Sequence, residues 1–119
     1  MPLYKGNTLI VGGATVIETG RSSDGKQWYR LWSDGWLEQG GTASVSSGVY
    51  IPVTFLKQYA DVSYTVVVTP ADGSPADNLL VNSTWQDKTV SGFKIYCSYV
   101  VRGIAYPDAL NCWYACGPS

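Results

Sequence analysis

The chain has 119 residues, eight basic and nine acidic side chains, a net charge of −1 and no histidine. That length is one domain. Near-neutral charge offers no phosphate-binding surface, which argues against nucleic acid as a partner, and the missing histidine removes the commonest general base and most metal sites.

Residues 1–13, MPLYKGNTLIVGG, hold a short apolar run at Leu9, Ile10 and Val11, ended by Gly12 and Gly13. They read as a lead-in strand or arm, joining a preceding domain to a β domain over 14–119. Residues 14–19 form the first strand. Residues 20–25, GRSSDG, are a turn cluster.

Residues 27–41, QWYRLWSDGWLEQGG, are the most informative stretch. Trp28, Trp32 and Trp36 fall within nine residues. Asp34-Gly35 between two alternating aromatic runs is a strong hairpin signal, because glycine reaches φ > 0 without a steric cost. The reading is a strand over 27–32, a tight turn, and a strand over 36–39 closed by Gly40-Gly41. Trp28, Arg30 and Trp32 share one face; Gln27, Tyr29 and Leu31 share the other. A strand that is apolar on both faces is covered on both, by a second sheet or by another copy of the chain.

Residues 42–48, TASVSSG, are small and polar and read as a loop or weak edge strand. Residues 49–55 alternate, with Val49, Ile51, Val53 and Phe55 on one face. Pro52 lacks the ladder donor and places this strand at an edge or a bulge. After a short connection over 56–60, residues 61–69 form a strand with Val62, Tyr64, Val66 and Val68 inward. Residues 70–78, PADGSPADN, are a loop.

Residues 79–85 are a shorter strand, and Gln86-Asp87-Lys88 a turn. Residues 89–101 form a long strand, with Phe93, Ile95, Cys97 and Tyr99 on one face and Lys94, Tyr96, Ser98 and Val100 on the other; Gly92 marks a bulge. Residues 102–110 read as a loop. Residues 111–116 are the last strand, with Trp113 facing opposite to Cys112, Tyr114 and Cys116.

No stretch of ten residues carries helical periodicity. The expected fold is all-β: a single-domain antiparallel β-sandwich of about eight short strands. Charged residues are 14% of the chain and aromatic residues 13%. Charge that far below the usual ~25% fits an interface-rich β protein, or simply a tyrosine-rich core. No apolar run approaches the roughly 20 residues that span a bilayer. The first residues show no basic segment leading into an apolar one, so no signal peptide is expected. The initial Met suggests a chain made in the cytosol, or a piece of something longer.

Three cysteines, Cys97, Cys112 and Cys116, argue against a closed disulfide framework. They read as buried thiols acting as small hydrophobes, with a pairing of Cys97 to one of the others left open. Only two Glu are present, Glu18 and Glu38, and no G-x-S-x-G, phosphate loop or Cys–His pair occurs. The expectation is a non-enzymatic protein with no cofactor and no metal. Glu38 is the carboxylate in an odd position. It is either solvent-exposed or a polar group at a subunit contact.

Trp28-Tyr29-Arg30-Leu31-Trp32-Ser33-Asp34-Gly35-Trp36-Leu37-Glu38-Gln39-Gly40-Gly41 resembles the motif that opens the C-terminal domain of tailed-phage and prophage tail fibres, the gp53-like C-terminal domain family. Val53-Thr54-Phe55, the alternating run Tyr64 to Val68, the late strand Phe93 to Tyr96, and Trp113-Tyr114-Ala115-Cys116-Gly117 follow in the order of that family. The likeness spans about 14–117. The hairpin motif is the specific part.

The resemblance implies a homotrimeric fibre tip in the virion, made in the host cytoplasm. Such a tip is attached to the rest of the fibre and baseplate, and it binds a bacterial surface receptor, often a glycan, without inserting into a membrane. It places Trp28, Trp32, Trp36 and Glu38 at the trimer interface. Candidate receptor contacts are aromatic, amide and acid residues read as loops: Trp85, Gln86, Asp87, Tyr106 and Asp108, with Asp72, Asp77 and Asn78 on the proline loop. Two other readings stand beside it. One is a trimerising cap of a fibre with no receptor site of its own; the other is a monomeric carbohydrate-binding module.

Overall fold

The computed structural model describes the backbone of residues 3–5, 8–10, 13–46, 50–70, 79–101, 104–105 and 108–119, and side chains over 13–44, 50–70, 83–96 and 110–119. Among the described residues, eleven strands run β1 (Leu3–Lys5), β2 (Thr8–Ile10), β3 (Val16–Arg21), β4 (Gln27–Trp32), β5 (Trp36–Ser46), β6 (Tyr50–Thr54), β7 (Thr65–Pro70), β8 (Leu79–Thr89), β9 (Gly92–Val101), β10 (Ile104–Ala105) and β11 (Asp108–Pro118). Every pairing is antiparallel. The expected all-β sandwich is present, and the short β1, β2 and β10 raise the number of strands above eight.

One sheet has five strands in the order β3-β4-β5-β11-β7. The other has four: β8 lies along one edge of β9, and β6 and β10 share the other edge. β1 and β2 form a separate ribbon. The inner faces meet through Leu37, Val66, Trp113 and Ala115 of the larger sheet and Val53, Phe93 and Ile95 of the smaller. Phe55, Tyr59 and Tyr64, from the segments between β6 and β7, complete the core. Phe55 sits edge-on to both Tyr59 and Tyr64, at 5.2 Å from each ring. Edge-to-face contact lets the positive ring edge meet the negative ring face, which adds to the area buried.

The aromatic hairpin forms as expected. Gly35 takes φ +89° at the turn, and its amide donates to the Trp32 carbonyl. Gly40 and Gly41 do not close it. β5 runs on through both to Ser46, as a central strand between β4 and β11. At Gly40 the Trp28 ring and the Trp113 carbonyl lie where a Cβ would sit, so glycine serves close approach here and not a turn. Residues 42–46, expected as a loop or weak edge, are strand because β11 pairs with every one of them.

Three further readings change. Val62 is 52% exposed, because Asp61 caps a turn by accepting from the Ser63 amide, and β7 begins only at Thr65. Gln86-Asp87-Lys88 is not a turn. β8 continues to Thr89 with one extra residue against β9 between Gln86 and Thr89, and Asp87 sits at φ 55°. The reversal falls at Val90-Ser91. Pro52 does lie on an edge strand, since β6 pairs only with β9.

Side-chain latches hold the layers together. Buried Gln39 donates to the Lys57 carbonyl (2.7 Å) and Gln27 to the Thr54 carbonyl (2.9 Å). Tyr64 donates to the carbonyls of Thr89 and Gly92 (2.8 and 2.9 Å). The Ser119 amide donates to Gly35 O, tying the end of β11 back to the hairpin turn.

Candidate functional site

The outer face of the five-stranded sheet follows from the register. Trp28 lies opposite Gly40, Arg30 opposite Glu38, Glu38 opposite Cys116 and Gly40 opposite Tyr114. Alternation therefore puts Trp28, Arg30, Trp32, Trp36, Glu38, Leu110, Cys112, Tyr114, Cys116 and Val67 on one surface. Among the described residues, no element of the chain covers it. Trp36 is 43% exposed, and Leu110 and Val67 are also open.

Glu38 is the hub of this face. Its side chain is only 18% exposed. Trp32 Nε1 donates to Oε1 at 2.6 Å and Tyr114 Oη donates to Oε2 at 2.6 Å. Arg30 Nε stands 3.6 Å from Oε1, and its guanidinium lies over the Trp28 ring at 5.4 Å. Burial pushes the Glu38 carboxyl up, but the hydrogen bonds from Tyr114 and Trp32 and the Arg30 charge outweigh it and hold the group below its usual range. Burial, and then the carboxylate it faces, push the Tyr114 phenol well up. Glu38 is thus mostly shielded from solvent and hydrogen-bonded within its own chain. Each of its oxygens takes a hydrogen bond from an aromatic side chain of the same sheet, and Trp32 and Tyr114 are themselves half-buried. Trp28, Trp32, Trp36 and Glu38, singled out from sequence, do come together here; Arg30 and Tyr114 complete the cluster. Tyr114 escaped notice because nothing in a sequence reports that β11 lies beside β5.

Cys112 and Cys116 are free thiols. Cys112 is exposed and Cys116 half-buried, which corrects the expectation of buried hydrophobes; the side chain of Cys97 lies outside the described residues. Among the described residues no group of three His, Cys, Asp or Glu side chains converges as a metal site.

Of the residues expected to contact a receptor, the described ones are spread over the sandwich. Tyr106, Asp72, Asp77 and Asn78 lie outside the described residues. Asp108 is the first residue of β11, opposite Ser46. Its end of the sandwich is the one where β7 stops and β8 starts, whereas Trp85 lies six residues along β8 from Leu79, roughly 20 Å away. Trp85 and Gln86 also face opposite ways. Trp85 is paired with buried Ile95 and points to the rim of the core, 41% exposed, with Lys88 Nζ 4.7 Å from its ring. Gln86 is paired with exposed Lys94 on the outside of the smaller sheet. Asp87 is ion-paired to Lys94 at 3.4 Å.

On that same outer face, one rung along, Tyr96 stands between Thr84 and Tyr50. The Tyr50 and Tyr96 rings are 4.9 Å apart and inclined at 41°. Outward facing of Tyr96 and Lys94 is legible from alternation along β9. Their neighbourhood with Tyr50 is not.

The sandwich is similar to two solved fibre proteins. Against the C-terminal part of a P. aeruginosa R2 pyocin fibre, the TM-score is 0.61 at 15% identity, over 85% of this chain and 26% of that one. Against an N-truncated R2-type pyocin tail fibre it is 0.55 at 16% identity, over 87% of this chain and 39% of that one. The chain thus spans well under half of either fibre, and at these identities the likeness is one of fold. No protein-family model matches the chain, and no curated protein does.

Proposed function

We propose that this chain is the tip domain of a phage or phage-like tail fibre, working in the virion without enzymatic chemistry of its own. Three copies associate through the outer face of the five-stranded sheet, and the assembly attaches to a bacterial surface glycan. The observation that carries this reading is the open tryptophan face. Trp36 is exposed, and Trp28 and Trp32 are half-buried beside it on the same outer face, around a carboxylate hydrogen-bonded from within.

Interfaces are enriched in Trp, Tyr and Arg, and a pre-paired Glu38 removes the penalty of burying a bare charge. Rotational symmetry closes such contacts into a finite oligomer. The fold likeness to pyocin tail fibres supports the same reading. Three copies also raise avidity for a weak surface ligand without new contacts.

Size-exclusion chromatography with light scattering at micromolar concentration tests the assembly. The expected mass is three chains for the wild type, falling towards one for Trp28→Ala/Trp36→Ala. A monomeric wild type overturns the reading. Adsorption to a panel of bacterial strains tests attachment: an intact trimer that adsorbs to none leaves a capping role in a fibre.

A further inference from the structure

We infer that the outer face of the smaller sheet, at Tyr50 and Tyr96, is the saccharide-binding surface, and that it takes an uncharged or weakly charged sugar ring. This rests on the proposed attachment role and assigns it a place. The two outer faces of the sandwich differ in chemistry. That of the larger sheet is rich in tryptophan and aliphatic groups, suited to another protein surface. That of the smaller, over its described side chains, carries Tyr50, Tyr96, Thr84, Gln86, Pro52 and Lys94, with no Leu, Ile or Val. Tyr50 is 45% exposed, and its ring meets that of Tyr96 at 4.9 Å. Two inclined phenol rings make a shallow apolar seat for the C–H face of a pyranose.

Polar groups rim that seat. The Thr84 hydroxyl, directly opposite Tyr96, and the Gln86 amide, two residues along β8, are both exposed and supply donors and acceptors. The formal charges nearby cancel, because Lys94 is ion-paired with Asp87 at 3.4 Å. A net-neutral, hydroxyl-bearing aromatic patch matches a ligand with an apolar ring face and a hydroxyl edge, and it has no excess charge to select an anion. The bulge at Asp87 sets that pair beside the seat: the extra residue turns the carboxylate back towards Lys94. The proposed association between copies does not use this surface. It lies on the opposite side of the sandwich from the tryptophan face, so copies associated through one would each present the other outward.

The test is binding of the full chain to intact host cells and to the O-polysaccharide purified from them. Variants are Tyr50→Ala, Tyr96→Ala and the conservative Tyr50→Phe/Tyr96→Phe, with Trp85→Ala as a control on the other face. Because Tyr96 stands on a central strand, Gln86→Ala and Thr84→Arg are measured alongside. Both sites are exposed; the first removes a polar contact and the second obstructs the seat.

The expected result is at least a tenfold loss of polysaccharide binding in the alanine variants and Thr84→Arg. Gln86→Ala weakens binding, the Phe pair largely keeps it, and the light-scattering mass is unchanged throughout. Unchanged binding in Tyr50→Ala and Thr84→Arg, while the wild type still binds cells, overturns this site and leaves the attachment role standing. So does binding to cells stripped of polysaccharide. Dissociation of the oligomer by Tyr50→Ala means that a second copy covers this face, and also overturns it. A wild type that binds neither cells nor polysaccharide overturns the attachment role itself.

Discussion

Tyr114 donates its phenolic proton to Glu38 at 2.6 Å across 76 residues of chain. The bond stitches β11 to β5 on the open side of the sheet, where backbone pairing alone would leave a carboxylate among indoles. Charge-assisted hydrogen bonds of this type contribute about 1.5–3 kcal/mol. Tyr114→Phe should therefore lower stability by about 1–3 kcal/mol. A double-mutant cycle with Glu38→Gln should show coupling above about 0.5 kcal/mol, read from urea midpoints. Additivity of the two would mean the contact has no energetic role.

The same pair sets opposite pH dependences. Glu38 has its folded value lowered, so its contribution is complete above the unfolded value near 4.5 and is lost as the pH falls through the folded value. Tyr114 has its folded value raised, so its contribution is complete below the unfolded value near 10 and is lost as the pH rises towards the folded value. Denaturation midpoints measured from acid to alkali should show a shallower acid limb for Glu38→Gln and a shallower alkaline limb for Tyr114→Phe. An acid limb unchanged by Glu38→Gln would contradict the assignment.

Tyr64 offers a cleaner core test. It is buried, stacks on Tyr59 at 4.4 Å and gives one hydroxyl to two carbonyls, Thr89 and Gly92. Burial pushes its phenol up to about 12. Tyr64→Phe keeps the stack and removes the hydroxyl that two carbonyls share, Gly92 O keeping the Thr89 hydroxyl as a weaker donor, so a loss of about 1–3 kcal/mol is expected from thermal or urea unfolding. Lys88 donates to the Tyr64 carbonyl and lies over its ring, so Lys88→Met should cost less than the hydroxyl does.

Gly92 and Gly35 should fail for different reasons. At Gly92 a Cβ would drive into the Val53 carbonyl, a backbone atom that can yield only by parting β6 from β9. At Gly35 there is open space, but φ is +89°. Gly92→Ala is expected to cost at least about 2–3 kcal/mol, and Gly35→Ala about 1–2 kcal/mol from backbone strain alone. Gly35→Asn should recover part of that loss, since Asn tolerates positive φ better than Ala, whereas Gly92→Asn should recover none. Circular dichroism melts of the four variants check the contrast.

These glycines show how far the sequence could be read. Asp34-Gly35 was legible because the turn is local: it needs only φ > 0 and flanking strands. Gly40-Gly41 resembled a stop, yet Gly40 lies against the Trp28 ring and Gly41 against the Lys26 carbonyl, with Trp113 of β11 closing on both, a crowding that depends on side-chain and strand placement and not on a turn. Residues 42–46 looked too small and polar for a central strand, and β11 pairing overrides their weak propensity. Gln86-Asp87-Lys88 carried turn-like residues and became a bulge. At the candidate sites, Trp28, Arg30, Trp32, Trp36 and Glu38 were readable as one surface from alternation within a hairpin. Tyr50 with Tyr96, and Glu38 with Tyr114, were not, because each depends on the register between strands far apart in the chain.

β11 follows every other described strand in the chain, yet it sits inside its sheet, between β5 and β7. Until residues 108–118 clear the ribosome, the larger sheet has a gap in its middle, and β5 and β7 each wait with an unpaired edge. Such long-range pairing is slow, on the order of milliseconds to seconds, and bare edges held open that long invite wrong partners. Production of soluble protein should accordingly respond more to growth temperature and chaperone supply than to translation speed through the aromatic hairpin.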